Sequence, residues 1–133
     1  MIAVDSSVWI DFFAGRATPH VNLLDGYLER YASEIALVDI VLTEVSRGLN
    51  DRDVHRVEGL LLDLDVLRMQ WISDFRAAAG LYRAARNSGV TIRSTVDCLI
   101  AAVCIRENVP LLHADADFDR LAEISELTTI RVG

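Results

Sequence analysis

The stretch that decides the fold is Arg93-Ser94-Thr95-Val96-Asp97-Cys98-Leu99-Ile100-Ala101-Ala102-Val103-Cys104-Ile105, with Pro110-Leu111-Leu112-His113-Ala114-Asp115 a few residues on. Ser94 is suited to cap a helix, and Asp97, three residues later, would stand in its first turn near the positive end. From Cys98 to Ile105 the helix is apolar on every side, so it should lie inside the fold rather than on its surface. Pro110 cannot continue a helix, and Leu111-Leu112-His113 reads as a short strand that ends just before Asp115. A buried helix feeding a strand with an acid at its carboxyl end is one unit of an α/β protein.

Outward from this stretch, strands and helices alternate. Toward the amino end, residues 73–87 form a long helix stopped by Gly89, preceded by a strand at 66–69. Asp51 or Asp53 is expected to cap a helix running through Leu62, and residues 40–49 form another, stopped by Gly48 or Asn50. Strand 35–38 precedes it. Apolar positions at Val21, Leu24, Leu28 and Tyr31 repeat at helical spacing after Pro19. The chain starts with a strand at 2–4, then Asp5 and a helix opened by Ser6-Ser7. Toward the carboxyl end, residues 115–124 are expected to be helical and 128–132 to form a fifth strand. The expected architecture is a three-layer α/β/α sandwich around a mostly parallel sheet of about five strands, as one domain over residues 1–133.

Composition narrows the function. At 133 residues the chain has no room for a separate substrate domain, and 52% hydrophobic residues with 25% charged exclude disorder. Mean hydropathy is positive, but charges break every apolar run well short of the roughly 18 residues a membrane span needs. The opening Met1-Ile2-Ala3-Val4-Asp5 has neither a basic start nor an apolar signal core, so no secretory signal is expected. Cys98 and Cys104 do not form a disulfide framework, which fits a reducing cytoplasm. The net charge of −7 has the wrong sign for bulk attraction to nucleic acid. All 13 basic residues are arginine, a side chain whose planar fork suits phosphate, although codon bias gives the same composition. Nucleic acid would have to be held by a local basic rim.

Four acids stand where chemistry collects in such sheets, beyond the carboxyl ends of the strands. Asp5 follows the first strand and Asp115 the fourth; Asp97 tips the buried helix; Glu44 interrupts Ile40-Val41-Leu42-Thr43-Glu44-Val45. Taken singly, each has an ordinary structural reading: the aspartates as helix caps, Glu44 as the partner of Arg47 three residues on. Taken together, converging carboxylates would repel and hold protons unless a cation met them. An all-oxygen set without a Cys or His cluster favours Mg2+ or Mn2+ over Zn2+, and the matching chemistry is phosphodiester hydrolysis.

At these residues the chain resembles the PIN-domain ribonucleases, specifically the VapC toxins of VapBC toxin–antitoxin pairs. Val4-Asp5-Ser6-Ser7-Val8-Trp9-Ile10-Asp11, Leu42-Thr43-Glu44-Val45 with Gly48, Ser94 to Ala102, and Asp115-Ala116-Asp117-Phe118 carry the resemblance over essentially the whole length. It implies an acidic set of Asp5, Glu44, Asp97 and Asp115 holding Mg2+ or Mn2+, with Asp117 as a fifth acid and Ser7 as a supporting hydroxyl. It further implies endonucleolytic cleavage of structured RNA, such as tRNA or rRNA loops, to 5′-phosphate and 3′-hydroxyl ends. The partners implied are a VapB-type antitoxin, whose carboxyl-terminal segment wraps the toxin and can place a basic side chain among the acids, and a second copy in a homodimer or hetero-oligomer. Part of Leu60-Leu61-Leu62 is a candidate lining for that segment.

His113, Ala114 and Ala116 depart from the hydroxyl and polar residues that the family often has there. His113 is read as a packed strand-end residue, Asp119 and Asp11 as surface acids, Ser94 as a cap and Arg93 as the first candidate for an RNA-backbone contact. Three rival readings remain. A dehalogenase-like phosphatase needs an acid where Ser7 stands; a receiver domain needs a lysine, and the chain has none; an interaction module would use the acids only as caps.

Overall fold

In the computed structural model, which describes residues 1–132, four parallel strands form a sheet: β1 (Ile2–Val4), β2 (Ile35–Val38), β3 (Asp65–Leu67) and β4 (Leu111–Leu112), in the order β3-β2-β1-β4. Every residue of β1, β2 and β4 is buried, as expected of parallel strands covered on both faces. Between and after them run seven α-helices: α1 (Ser6–Phe13), α2 (Pro19–Arg30), α3 (Asp39–Ser46), α4 (Asp51–Leu62), α5 (Ser73–Asn87), α6 (Thr95–Glu107) and, past β4, α7 (Ala116–Glu123).

The strand order explains the site. From β1 the chain crosses outward to β2 and then β3, and it returns past β1 to β4. Right-handed crossovers in opposite directions put their helices on opposite faces of the sheet. The gap between β1 and β4 is therefore the switch point, where a crevice opens at the carboxyl ends. Val4 pairs with Leu112 there, and Asp5 N–H donates to Leu112 O at 2.9 Å. The loops after both strands thus leave side by side.

α6 lies at the centre, with Cys98, Ile100, Ala101, Ala102, Val103 and Cys104 all buried. Burial pushes the Cys98 thiol up to about 11 and the Cys104 thiol up to about 12, in each case with nearby carboxylates adding to the shift. Both remain free thiols. The helix ends on Asn108 in the left-handed region, φ 54°. α5 packs along α6, and its carboxyl end turns at Gly89, whose φ of 84° suits glycine.

Several expectations are corrected. Residues 128–132 do not form a fifth strand: Thr129 makes a single parallel bridge to Leu111, flanked by Leu111 N–H to Thr128 O and Ile130 N–H to Leu111 O, each 3.0 Å. β4 is only two residues long, so it offers a neighbour almost nothing to pair with. The third strand is shifted to Asp65–Leu67. Asn50, not Asp51 or Asp53, is the N-cap of α4, and Ser94 caps α6 by backbone position only, with no side-chain hydrogen bond. Among the described residues no helix is long and apolar enough to cross a membrane.

Candidate functional site

Asp5 is the N-cap of α1, and its Oδ2 accepts from Ser7 N–H at 3.0 Å and from Ser7 Oγ at 2.6 Å. Ser7 Oγ also accepts from Ala114 N–H at 3.1 Å, which ties the loop after β1 to the loop after β4. The other carboxylate oxygen, Asp5 Oδ1, is buried and has no hydrogen-bond partner. Burial is the largest influence on this group and raises it above the ordinary carboxylate range, against the lowering effect of Ser7. A buried acceptor left bare is uncommon and calls for a partner.

Asp97, on the first turn of α6, is only 7% exposed. Burial first, and then the charges of Asp5, Asp115, Glu44 and Asp117, push its carboxyl up to about 7. The other four sequence-selected acids thus lie within electrostatic reach of Asp97. Oxygens of Asp97, Asp115 and Asp117 lie within 4.8 Å of one another.

Glu44 sits on the rim. Arg47, the structural alternative that helical spacing offered, is not within ion-pair distance; Oε1 instead accepts from Ser6 Oγ at 3.0 Å, 38 residues away. Burial raises Glu44, the Ser6 hydrogen bond opposes this, and Asp5 raises it further. Ser6 was not singled out from the sequence. Its neighbour Ser7 was, and on a helix start the two hydroxyls point to different acids.

Asp117 differs from the other four. It is almost fully buried, yet both oxygens are occupied: Arg120 Nη1 donates to Oδ1 at 2.6 Å, and Arg93 N–H and Nε donate to Oδ2 at 3.1 and 3.4 Å. Burial alone would raise this carboxyl, but the arginine contacts outweigh it and hold it below the ordinary range. Arg93 Nη2 reaches on to 3.7 Å from Asp115 Oδ1. Asp115 itself caps α7 through Asp117 N–H at 2.9 Å. Arg93 and Arg120 thus stand at the edge of the site, each engaged with its acids. The pairing of Arg120 with Asp117 three residues earlier was open to sequence reasoning, as helical spacing alone allows it.

His113 is packed, as expected of a strand end, against Phe118 with ring centroids 5.2 Å apart. Its Nδ1 accepts from Asp115 N–H at 3.2 Å, so the proton of the neutral ring is on Nε2, which faces Asp119 Oδ1 at 3.3 Å. Asp119 is therefore a partner of His113 as well as a surface acid. Asp11 pairs with Arg16. A groove of about 620 Å3 runs from Asp115 past His113 and Asp119 to Thr129, Arg131 and His20.

This donor set fits a hard divalent cation. It consists of carboxylate oxygens, includes a buried oxygen with no hydrogen bond, and contains an acid, Asp97, that burial first and neighbouring carboxylates second push up to about 7. No cysteine or histidine belongs to the cluster, which disfavours zinc.

Fold and site define an α/β protein with an acidic crevice at the switch point of a parallel sheet. Residues 2–124 match the family model described as PIN domain, and the chain belongs to that family. It is 42% identical over 130 residues, 96% of each chain, to ribonuclease VapC11 of Mycobacterium tuberculosis. Among solved structures it resembles VapBC2 from Rickettsia felis bound to a promoter DNA fragment (TM-score 0.72, 20% identity, all of both chains covered). It also resembles the sarcin–ricin-loop-cleaving toxin VapC20 of M. tuberculosis (TM-score 0.67, 20% identity, 96% of this chain and 98% of that one). The two structures support the fold; the phosphatase and receiver readings fall with the family assignment.

Proposed function

We propose that the chain, acting as one domain over residues 1–133, is the toxin of a VapBC-type toxin–antitoxin pair and a Mg2+- or Mn2+-dependent endoribonuclease. The observation that carries this reading is the clustering of Asp97, Asp115 and Asp117 oxygens within 4.8 Å, together with a buried, unbonded Asp5 Oδ1 at the same sheet edge and an Asp97 carboxyl pushed up to about 7 by burial and its acidic neighbours. The family assignment and the 42% identity to a named ribonuclease support the reaction class.

In this reading Asp97, Asp115 and Asp5 hold the ion, and Glu44 contributes directly or through water. A divalent ion supplied there activates water and offsets charge on the phosphate and the departing ribose oxygen. The residues of the chain do the rest. Ser7 fixes Asp5 and the Ala114 backbone in one geometry, and Ser6 aims Glu44. His113 holds the Asp115 backbone N–H. Asp117 is less a free ligand than an anchor for two arginines. No side-chain nucleophile is needed, and the products are 5′-phosphate and 3′-hydroxyl ends on a structured RNA. The partners are that RNA and a VapB-type antitoxin, by analogy with the toxin–antitoxin complexes that share the fold.

The test is to map RNA ends after brief expression of the chain and of its Asp5→Ala form. New 5′-phosphate ends should appear only with the parent chain. A Mg2+ titration of thermal unfolding supplements it: ion binding to the folded state should raise Tm. No cleavage together with no Tm shift at millimolar Mg2+ or Mn2+ would leave the interaction-module reading instead.

A further inference from the structure

We propose that Arg93 is a built-in counter-cation of the acidic site, occupying the side of Asp115 that a divalent ion needs and yielding it to that ion, after which its freed guanidinium tip grips an RNA phosphate. The proposal rests on the metal-site reading above and adds a competition to it.

The geometry is that of a tethered arm. Its base is fixed, because Arg93 donates to Asp117 Oδ2 from both its backbone N–H and its Nε. Asp117 is itself held by Arg120 on the opposite oxygen and is 1% exposed. The tip is loose. The side chain is 76% exposed, and Nη2 stands 3.7 Å from Asp115 Oδ1, an ion-pair distance too long for a hydrogen bond. Among the five acids, only Asp115 and Asp117 are in salt-bridge range of an arginine. Among the described residues, Asp97 and Asp5 have no arginine in salt-bridge range. The arm thus neutralises one side of the cluster and leaves the other side bare.

Two consequences follow from charge alone. A cation beside Asp115 weakens the hold of the site on any second cation, because the two repel and compete for one carboxylate. Once an ion takes the Asp115 carboxylate, the attraction of Asp115 for the Nη2 end is offset, and a substrate phosphate at the edge of the crevice would offer that end a new anion. A guanidinium fork matches phosphate oxygens two at a time, which a lysine in this place would not. The tether at Asp117 keeps the fork within reach throughout.

The experiment is a Mn2+ titration, read by loss of the free-ion paramagnetic resonance signal, on the intact chain and on Arg93→Gln, Arg93→Lys and Arg52→Gln. Arg52 is an exposed arginine of α4 whose loss changes the net charge equally. Arg93→Gln should bind Mn2+ about tenfold tighter at low salt, an effect that shrinks as salt screens the charges. Arg52→Gln should match the parent, and Arg93→Lys should fall close to it. In parallel, Arg93→Gln should raise the KM for RNA more than it lowers kcat, since the lost contact is to the backbone. Equal or weaker Mn2+ binding by Arg93→Gln overturns the counter-cation role while leaving the metal site standing. Absence of Mn2+ binding by the parent and by Arg93→Gln alike would overturn the metal site as well.

Discussion

Two aspartates, both buried, show how differently this fold treats the same side chain. Asp74, at the start of α5, is 2% exposed and Asp97, at the start of α6, is 7% exposed. Asp74 receives Gln70 N–H at 2.7 Å and Arg106 through Nε at 2.9 Å and Nη2 at 2.8 Å. Burial would raise its carboxyl, but these bonds outweigh it and hold the group below the ordinary range. Arg106 Nη2 also donates to Arg68 O, so the pair straps the segment after β3 to α6. Asp97 has no such partners, and its carboxyl goes up to about 7. A buried acid with all its bonds made is architecture. A buried acid without such bonds keeps its proton to higher pH, and that is where a cation from outside the chain has most to gain by binding.

The largest effect expected from this contrast is on activity. Asp97→Asn should lower RNA cleavage by a factor on the order of a thousand, as loss of a metal ligand removes charge stabilisation from the transition state. The same change should leave metal-free Tm unchanged or higher, because it deletes a charge the fold holds unwillingly. Cleavage retained by a folded Asp97→Asn protein would contradict the ligand role. Arg106→Gln should do the reverse. It strands Asp74 as an uncompensated buried charge, at a cost of about 3 kcal/mol, and leaves cleavage per folded molecule intact. Urea unfolding of both variants, beside their activities, checks the pairing; an inactive but fully stable Arg106→Gln protein would break it.

The two acids also predict opposite pH trends. Asp97 has a higher affinity for its proton in the folded chain than in the unfolded one. Between about pH 4 and pH 7 the folded state therefore holds more protons, and metal-free stability falls as pH rises, by at most about 1.4 kcal/mol per pH unit for one group. Above about pH 7 this loss is complete. Asp74 has the lower folded value, so its stabilisation is present above the ordinary carboxylate range and is lost on acidification below it. Urea midpoints at pH 4.5 and 7.5, for the parent and for Asp97→Asn, isolate the first trend. The parent should lose more stability than the variant over this interval, and saturating Mg2+ should remove the difference. A variant that follows the parent at every pH would show that Asp97 is not the group responsible.

What could be read from the sequence, and what could not, divides along range. The limits of α5 were legible because Gly89 ends a clear helical period, and the centrality of α6 because its apolar run has no polar side. The neighbouring exits of Asp5 and Asp115 followed from strand ends in a parallel sheet. The failures concern partners chosen in three dimensions. Helical spacing offers Arg47 to Glu44, but the hydroxyl of Ser6 is placed in reach by the parallel pairing of β1 with β2, whose following helices carry the two residues. From the sequence Arg93 was expected to meet an RNA phosphate; its grip on Asp117, 24 residues on, depends on how the loop before α6 meets α7 and was not legible. The strand expected at 128–132 had the right β-branched composition and lacked a partner long enough to complete it.

The smallest predicted effect tests the rim of the site. Ser6 is buried and its hydroxyl donates to Glu44 Oε1, whereas Ser7, one position on, donates to Asp5 in the centre. If Glu44 acts at a distance or through water, aiming it matters less than fixing Asp5. Ser6→Ala removes one hydrogen bond to a charged group, an interaction of about 1.5–3 kcal/mol, so the expected loss in activity is about tenfold and at most about a hundredfold. Stability should change little, because a carboxylate only half buried can turn to water for its lost partner. Ser7→Ala should lower activity further, since Ser7 Oγ both holds Asp5 and receives Ala114 N–H and so joins the two loops that carry the site. Cleavage rates of the two alanine variants at saturating Mg2+ rank the positions. A greater loss for Ser6→Ala would move Glu44 from the rim into direct contact with the ion and make the four-carboxylate set an equal partnership rather than a core with one outlying member.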